Sequence, residues 1–481
     1  MSSEKQSSDT PRLTFGVVSD LHVIAENVDR GWQGNARAFR NALKWFDAAG
    51  ADAVLCLGDM ADVGLVSQLQ CVADAWDAVF PGNRSRRDGR PVERLFIYGN
   101  HDAEGGTYDY CTVYGTRVRW LTADHIAHNG LARVWREVFD EDYAPVYRKT
   151  IKGYDFIGAN WETSDHGVWS GRRDVGPFFE RIAPTLDPSR PFFFLQHPLM
   201  KGTCHGPWAG GVDDGFTREL LTGHPNAIAF MGHTHYSPLD ERAIWQGPFT
   251  AIDAGSLRYA SPPSGEFAAE GAFENTSGSR DPARPDRDKA MLDFSREDCR
   301  NGLFVRVYGD RVEVERRDFF ADCAAGPVWT IRTAPGSPRP YAHATRAATR
   351  VAPEFAPDAR LAVSRGKSLA RKDYDEDAAL QASREAEAWI LTFPAARQTD
   401  ENRVHRYDVE ALDSAGAVVL RRRILSPDYG FPLVKAVPSL TVPIPLRDLP
   451  PEGAAAFRVT PYECFGRGGR PLSAQMPRAH C

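Results

Sequence analysis

The chain has 481 residues, a formal net charge of −6 and a pI near 6.1, a balance that argues against a general nucleic-acid-coating surface. Its length exceeds a single core of roughly 250–300 residues, so one large domain and a smaller one are expected. Eight cysteines without a Cys-x-x-Cys pair exclude a disulfide scaffold, and no apolar run nears the roughly 20 residues of a bilayer span.

Residues 1–11 read as a disordered N-terminus; Met1 to Thr10 are polar and show no signal-peptide hydrophobic region, so the expected location is cytoplasmic. Strand-like runs then alternate with amphipathic helical patterns: Leu13–Ser19 and Asn35–Ala49, Ala53–Leu57 and Ser67–Phe80, Arg94–Tyr98 and Leu131–Phe139. The strands are short, apolar and nearly unbroken, as expected where both faces of a sheet are covered. Residues 145–158 predict a hairpin around Lys152-Gly153, followed by helix Val175–Ile182 and strand Phe192–Leu195.

Helix Asp214–Thr222 and strand Ala227–Met231 follow. Glu241–Ala254 and the pair Leu303–Tyr308 and Arg311–Arg316, joined at Gly309-Asp310, are expected to extend a second, more antiparallel sheet. Between them Ser261 to Asp288 reads as a long surface loop. Pro335 to Pro340 opens a linker, and the basic stretch that follows to Lys372 reads as solvated linker or strand edge. Short strands spaced by turns from Arg360 to Pro461 predict a small β-sandwich, in which no catalytic constellation is found. The expected fold class is α/β grading to α+β: two sheets flanked by helices over residues 12–334, a linker at 335–351, and an all-β domain at 352–481.

Chemistry is announced where the strand-like runs end. Ser19-Asp20-Leu21-His22, Gly58-Asp59, Gly99-Asn100-His101-Asp102, Gln196-His197 and Gly232-His233-Thr234-His235 each follow one. Singly, an Asp at a strand end is often a helix cap and a Gly-Asp is often a turn. With 41 Gly and 13 His in the chain, however, Gly-His-x-His is expected by chance only roughly 0.03 times. All five blocks stand at the carboxyl ends of predicted strands, where open α/β sheets gather functional groups. Carboxylate, amide and imidazole donors without thiolate suit a borderline divalent transition metal. Cys204 beside His205 raises zinc or redox chemistry as an alternative that the spacing does not support, and Cys56 and Cys71 read as buried thiols.

With these blocks in this order, the chain resembles the calcineurin-like metallophosphoesterase superfamily over about Leu13 to Arg332. The resemblance does not cover the C-terminal domain, whose look is weakly that of fibronectin type III. It implies one metal held by Asp20, His22, Asp59 and His235 and a second by Asp59, Asn100, His197 and His233, so that Asp59 bridges. It implies two divalent ions (Mn, Fe or Zn), hydrolysis by a hydroxide held between them, His101 facing the leaving group, and Asp102 behind the imidazole. The expected reaction is hydrolysis of a small-molecule phosphate ester, first a phosphodiester of nucleotide or lipid origin. A phosphomonoesterase or protein phosphatase is the alternative, and a nucleic-acid substrate is disfavoured.

Substrate contacts are unassigned. Tyr108, Tyr110, Tyr114, His125, His128, Asn160-Trp161-Glu162 and Lys201–Trp208 are the candidates, each also readable as loop packing. Rival readings from another class are a catalytically weak scaffold, or a protein- or carbohydrate-binding protein using the β-sandwich. The intact set of motif residues weighs against the scaffold.

Overall fold

The computed structural model describes residues 10–24, 36–62, 64–103, 131–161, 168–261, 263, 266, 300–334, 336–369, 385–433, 436–451 and 453–476. The expected disorder of the first residues therefore lies almost wholly outside the described residues. So do most of the Ser261–Asp288 loop and the candidates Tyr108, Tyr110, Tyr114, His125, His128 and Glu162.

The first unit comprises Met1–Ala260 and Glu297–Ala342. Its elements run β1 (Leu13–Val18), α1 (Ala36–Ala48), β2 (Ala53–Cys56), α2 (Val66–Val79), β3 (Glu93–Phe96), α3 (Leu131–Phe139), β4 (Val146–Ile151), β5 (Tyr154–Ala159), α4 (Val175–Ile182), β6 (Phe192–Leu195), α5 (Phe216–Thr222) and β7 (Ala227–Met231). They continue β8 (Ile244–Gln246), β9 (Thr250–Asp253), β10 (Asn301–Val307), β11 (Arg311–Asp318), β12 (Cys323–Ala324) and β13 (Trp329–Arg332). Two sheets form, ordered β12-β11-β10-β1-β2-β3, with β13 on β11, and β4-β5-β6-β7-β9-β8. Strands β1-β2-β3 and β5-β6-β7-β9 are parallel, so each set presents its carboxyl ends on one edge.

Each parallel strand sends alternate side chains to opposite faces, and both faces are buried. Phe15, Leu55, Leu95, Phe156, Phe193, Phe230 and Leu303 fill the space between the sheets. Phe15 stands at its centre, edge-on to Phe156, Phe193 and Phe230 at 5.3, 4.9 and 5.8 Å. The outer faces are covered by helices; α1 buries Phe39, Ala42, Leu43 and Phe46, one stripe of a 3.6-residue repeat.

One expectation needs correction. The hairpin β10–β11 does not extend the second sheet: β10 pairs antiparallel with β1, Phe15 opposite Val305, and joins the first. A hairpin's sequence specifies its own pairing through its turn, while the edge that receives it is chosen by which apolar face it can bury. Here Leu303, Val305 and Val307 continue the inter-sheet face of Leu13, Phe15 and Val17.

The second unit comprises Ser261–Arg296 and His343–Cys481. It begins with a short helix, α6 (His343–Thr349), and holds β14 (Ala362–Leu369), β15 (Glu385–Pro394), β16 (Arg406–Leu412), β17 (Val418–Leu425), β18 (Ser439–Pro445), β19 (Ala456–Tyr462) and β20 (Leu472–Gln475). Its sheets β14-β15-β18 and β17-β16-β19-β20 are antiparallel and share a core of Leu391, Phe393, Tyr407, Val409, Phe457 and Val459. The last strand, β20, is too short and too polar to be seen in the sequence. Among the described residues no helix is long and apolar enough to cross a membrane.

Candidate metal centre

The five motif blocks leave the carboxyl ends of β1, β2, β3, β6 and β7 and converge. Five of their non-glycine residues have positive φ: Asp20 54°, His22 43°, Asp59 51°, His233 74° and His235 55°. A left-handed backbone at a non-glycine residue costs about 1–3 kcal/mol and persists only where surrounding structure over-determines it. The sharp turn it makes at a strand end aims consecutive side chains inward rather than to opposite faces. Three glycines are required by close approach: a Cβ at Gly58 would strike the Gly99 backbone and His197, one at Gly99 would strike Asp59, and one at Gly232 would strike Ser19 and Asp20.

The inward side chains form two sets. In the first, His235 Nε2 lies 3.1 Å from Asp20 Oδ1 and 3.0 Å from His22 Nε2, and His22 Nε2 lies 3.6 Å from Asp59 Oδ2. In the second, His197 Nε2 lies 3.2 Å from Asp59 Oδ2, 3.1 Å from Asn100 Oδ1 and 3.2 Å from His233 Nδ1, which is itself 2.9 Å from Asn100 Oδ1. Four donors arranged tetrahedrally at about 2.1 Å from a metal stand ~3.4 Å apart, so both sets have the spacing of a coordination shell. The single oxygen Asp59 Oδ2 faces both.

The electrostatics ask for cations. Asp20, Asp59 and Asp102 are exposed by only 0, 2 and 4 %. Burial alone would raise Asp20 and Asp59, but His235 beside the first and His197 beside the second hold both carboxyls well below the usual range. Burial lowers His22 and His233 to about 4, leaving neutral rings with lone pairs to give. Burial also disfavours the cationic form of His197, yet the Asp59 carboxylate outweighs it and raises the ring to about 9. His197 Nδ1 is 2.6 Å from the Leu57 carbonyl oxygen, which it can only meet as a donor, so Nε2 is the nitrogen that faces Asp59 and Asn100 and would give up its proton to a metal ion held there. A divalent ion at each set satisfies these acceptors, and the residues present therefore fit a dinuclear centre.

Residues 13–237 match the calcineurin-like phosphoesterase family. This chain carries a calcineurin-like phosphoesterase domain. Domains of this family are metal-dependent hydrolases of phosphate esters with a dinuclear centre, which is the arrangement that the two donor sets are shaped for. Among solved structures, a dimetal phosphatase from Danio rerio is 11% identical, with 67% of this chain and 100% of that one covered at a TM-score of 0.37. A purple acid phosphatase from yellow lupin is 15% identical, covering 66% of this chain and 53% of that one at a TM-score of 0.42. No curated protein gives a significant match.

Within the phosphoesterase domain, His101 is partly exposed beside the first donor set, its ring 4.6 Å from that of His22. Its Nδ1 lies 2.6 Å from the main-chain carbonyl oxygen of Asp62. Asp102 is occupied differently from the expectation. Its carboxylate accepts N–H groups of Met60, Ala61 and Gly99 at 3.1, 2.8 and 2.9 Å, tying the Asp59 loop to the Asn100 loop. Burial and the neighbouring Asp59 charge raise Asp102 to about 7, against the opposing pull of those three N–H groups.

Asp62, Arg258 and Ser256 were not singled out by the sequence. Asp62 Oδ1 stands 3.3 Å from His22 Nδ1 and pairs with the Arg258 guanidinium. His22, Asp62 and His101 are close enough to suggest a third metal position, but Arg258 already supplies the cation that Asp62 faces. Burial raises Asp62, yet its bond to His22 and the Arg258 charge bring it down to about 2. The Ser256 hydroxyl donates to the Asp20 carbonyl at 3.2 Å and Leu257 N–H to the Ser19 carbonyl at 3.0 Å, bracing the Asp20 loop. The pentapeptide Gly58-Asp-Met-Ala-Asp62 carried a signal for Asp62; a lone arginine and a lone serine carry none.

Of the proposed substrate contacts, Asn160 spends its side chain on Tyr98 N–H and the Ala144 carbonyl, both at 2.7 Å. Trp161 is buried with its ring stacked 5.9 Å from His233. Cys204 donates to the Ala243 carbonyl at 3.2 Å while the His205 ring turns to Asp253, so the two do not form a shared ligand pair.

Proposed function

We propose that this chain hydrolyses small-molecule phosphodiesters of nucleotide or lipid origin, with Asp20, His22, Asp59 and His235 holding one divalent ion and Asp59, Asn100, His197 and His233 another. The observation that carries the reading is Asp59 Oδ2, 3.6 Å from His22 Nε2 and 3.2 Å from His197 Nε2, a single carboxylate oxygen shared by two donor sets. Bound there, Mn, Fe or Zn ions supply Lewis-acid activation of the phosphoryl group and of water. The chain's own groups do the rest. Asp59 lowers the mutual repulsion of two dications, and the ring of His101 offers a proton to a departing alkoxide. Proton delivery matters most for a diester whose leaving oxygen is a poor leaving group. The reading takes residues 12–334 as the catalytic domain and 352–481 as an appended β-sandwich that can engage a protein partner.

The test is a panel of bis-p-nitrophenyl phosphate, p-nitrophenyl phosphate, nucleotide diesters and glycerophosphodiesters, run on protein loaded in turn with Mn²⁺, Zn²⁺ and Fe²⁺. A diester should be the best substrate by kcat/KM. Faster turnover of monoesters throughout would replace the diesterase by a phosphatase, and hydrolysis of none would leave the fold without the proposed reaction.

A further inference from the structure

Outside the two donor sets lies a buried cluster of polar and ionisable side chains that the reaction does not use. His205, in the loop that follows β6 and His197, has φ +62° and donates its N–H to the Arg242 carbonyl at 2.9 Å. Its ring is enclosed between two carboxylates, with Nε2 2.9 Å from Asp253 Oδ2 and Nδ1 3.8 Å from Asp240 Oδ2. Asp240 in turn takes the Arg242 guanidinium at 2.7 Å. His205, Asp240, Asp253 and Arg242 are exposed by only 2, 5, 0 and 6 %, so two carboxyl groups, an imidazole and a guanidinium are sealed together. Burial alone would lower the ring's pKa; Asp240 and Asp253 overcome this and hold it above the ordinary value.

A buried ion pair often contributes no more stability than apolar side chains of similar volume, and what this cluster supplies beyond that is geometry. The geometry leads to the metal loop. Asp253, the last residue of β9, sits opposite Met231 at the end of β7. Its Oδ1 accepts Gly255 N–H at 3.0 Å, and its Oδ2, besides meeting His205, accepts the Thr234 hydroxyl at 3.3 Å. Thr234 Oγ1 also accepts Tyr236 N–H at 3.4 Å. Thr234 is the residue between His233 and His235, both of which have the strained left-handed backbone that needs outside support.

We infer that His205, through Asp253 and the Thr234 hydroxyl, is a positioning residue that fixes the His233-Thr234-His235 turn so that its two imidazoles meet two different ions. This rests on the assignment of those histidines as ligands. Outer partners of metal ligands change metal affinity or activity by roughly 10–100-fold when removed.

The test compares Thr234→Val, which keeps the shape and removes the hydroxyl, with Thr234→Ser, which restores it, and His205→Leu with His205→Gln, whose amide can still donate to Asp253. Metal-free protein is titrated with Mn²⁺ by calorimetry, and kcat and KM are measured on bis-p-nitrophenyl phosphate. Thr234→Val and His205→Leu should each weaken Mn²⁺ binding by about tenfold or more and lower kcat with little change in KM. Thr234→Ser and His205→Gln should stay near wild type, and the Thr234→Val/His205→Leu pair should be no worse than the weaker single variant. Should His205→Leu fail to fold, the Val and Ser variants of the partly exposed Thr234 decide alone. Mn²⁺ affinity of Thr234→Val within about twofold of wild type, or effects that multiply in the double variant, overturns the proposal. Wild-type protein that binds no Mn²⁺ overturns the ligand assignment and the proposal with it.

Discussion

Asp102 stands next to His101 in the sequence, yet its carboxylate spans Met60, Ala61 and Gly99 N–H groups, while the imidazole is met at Nδ1 by the Asp62 carbonyl 2.6 Å away. Removing the carboxylate strands buried donors on the Asp59 and Asn100 loops, at about 1–3 kcal/mol each where no water replaces it. Asp102→Ala should therefore lose several kcal/mol of stability in urea and lose bound metal. A variant as stable as wild type, with metal retained, would refute this clamp.

The consequence for His101 is a separate one. His101→Gln keeps the fold and the metals, and should lower turnover by ~10²–10⁴-fold for alkyl diesters while barely affecting an activated p-nitrophenyl ester. Leaving-group dependence measured across an ester series checks it. An equal loss for good and poor leaving groups would remove His101 from proton transfer. Asp62→Ala, which keeps the carbonyl that meets His101, should instead loosen His22 and act through metal affinity.

Asp59 is the residue on which both donor sets depend. Asp59→Asn removes the charge but not the shape, and should leave at most one tightly bound ion per chain with kcat down by several orders of magnitude. Metal analysis after gel filtration is the measurement. Two ions retained at wild-type affinity would contradict the sharing of Oδ2.

The sequence showed β1, β2, β3, β6 and β7 well because each is an apolar run closed by one of the motif blocks, a pattern set by covalent order alone. It also placed Asp20, His22, Asp59 and Asn100 at the carboxyl edge of one sheet and His197, His233 and His235 at that of the other, since the carboxyl ends of parallel strands within a sheet lie together. What it misread depends on geometry transverse to the chain. Asn100 to Ala103 is helical, and neighbours on a helix point about 100° apart, so the Asp102 carboxylate reaches the Met60, Ala61 and Gly99 N–H groups. The edge chosen by β10, and the arrival of Ser256 and Arg258 beside Asp20 and Asp62, join residues roughly 200–300 positions apart and leave no local periodicity to read.

A last prediction concerns pH and lies away from the metals. Asp213 is buried in the loop before α5, where its Oδ2 accepts Lys201 and Gly215 N–H groups at 2.9 and 3.0 Å. Burial outweighs these bonds and raises the carboxyl from 3.8 to about 6. Between those values the folded chain binds the proton more tightly than the unfolded chain, so this group's contribution is fully favourable below the lower value and declines as pH rises toward the upper one. A shift of this size corresponds to roughly 2–3 kcal/mol at most, and residual solvation reduces it. Asp213→Asn keeps an oxygen acceptor without the titration. Its urea stability relative to wild type should therefore increase from pH 4 to pH 6 and level off above, in parallel experiments on metal-free protein. A constant difference across that window would show that the carboxyl titrates at its ordinary value.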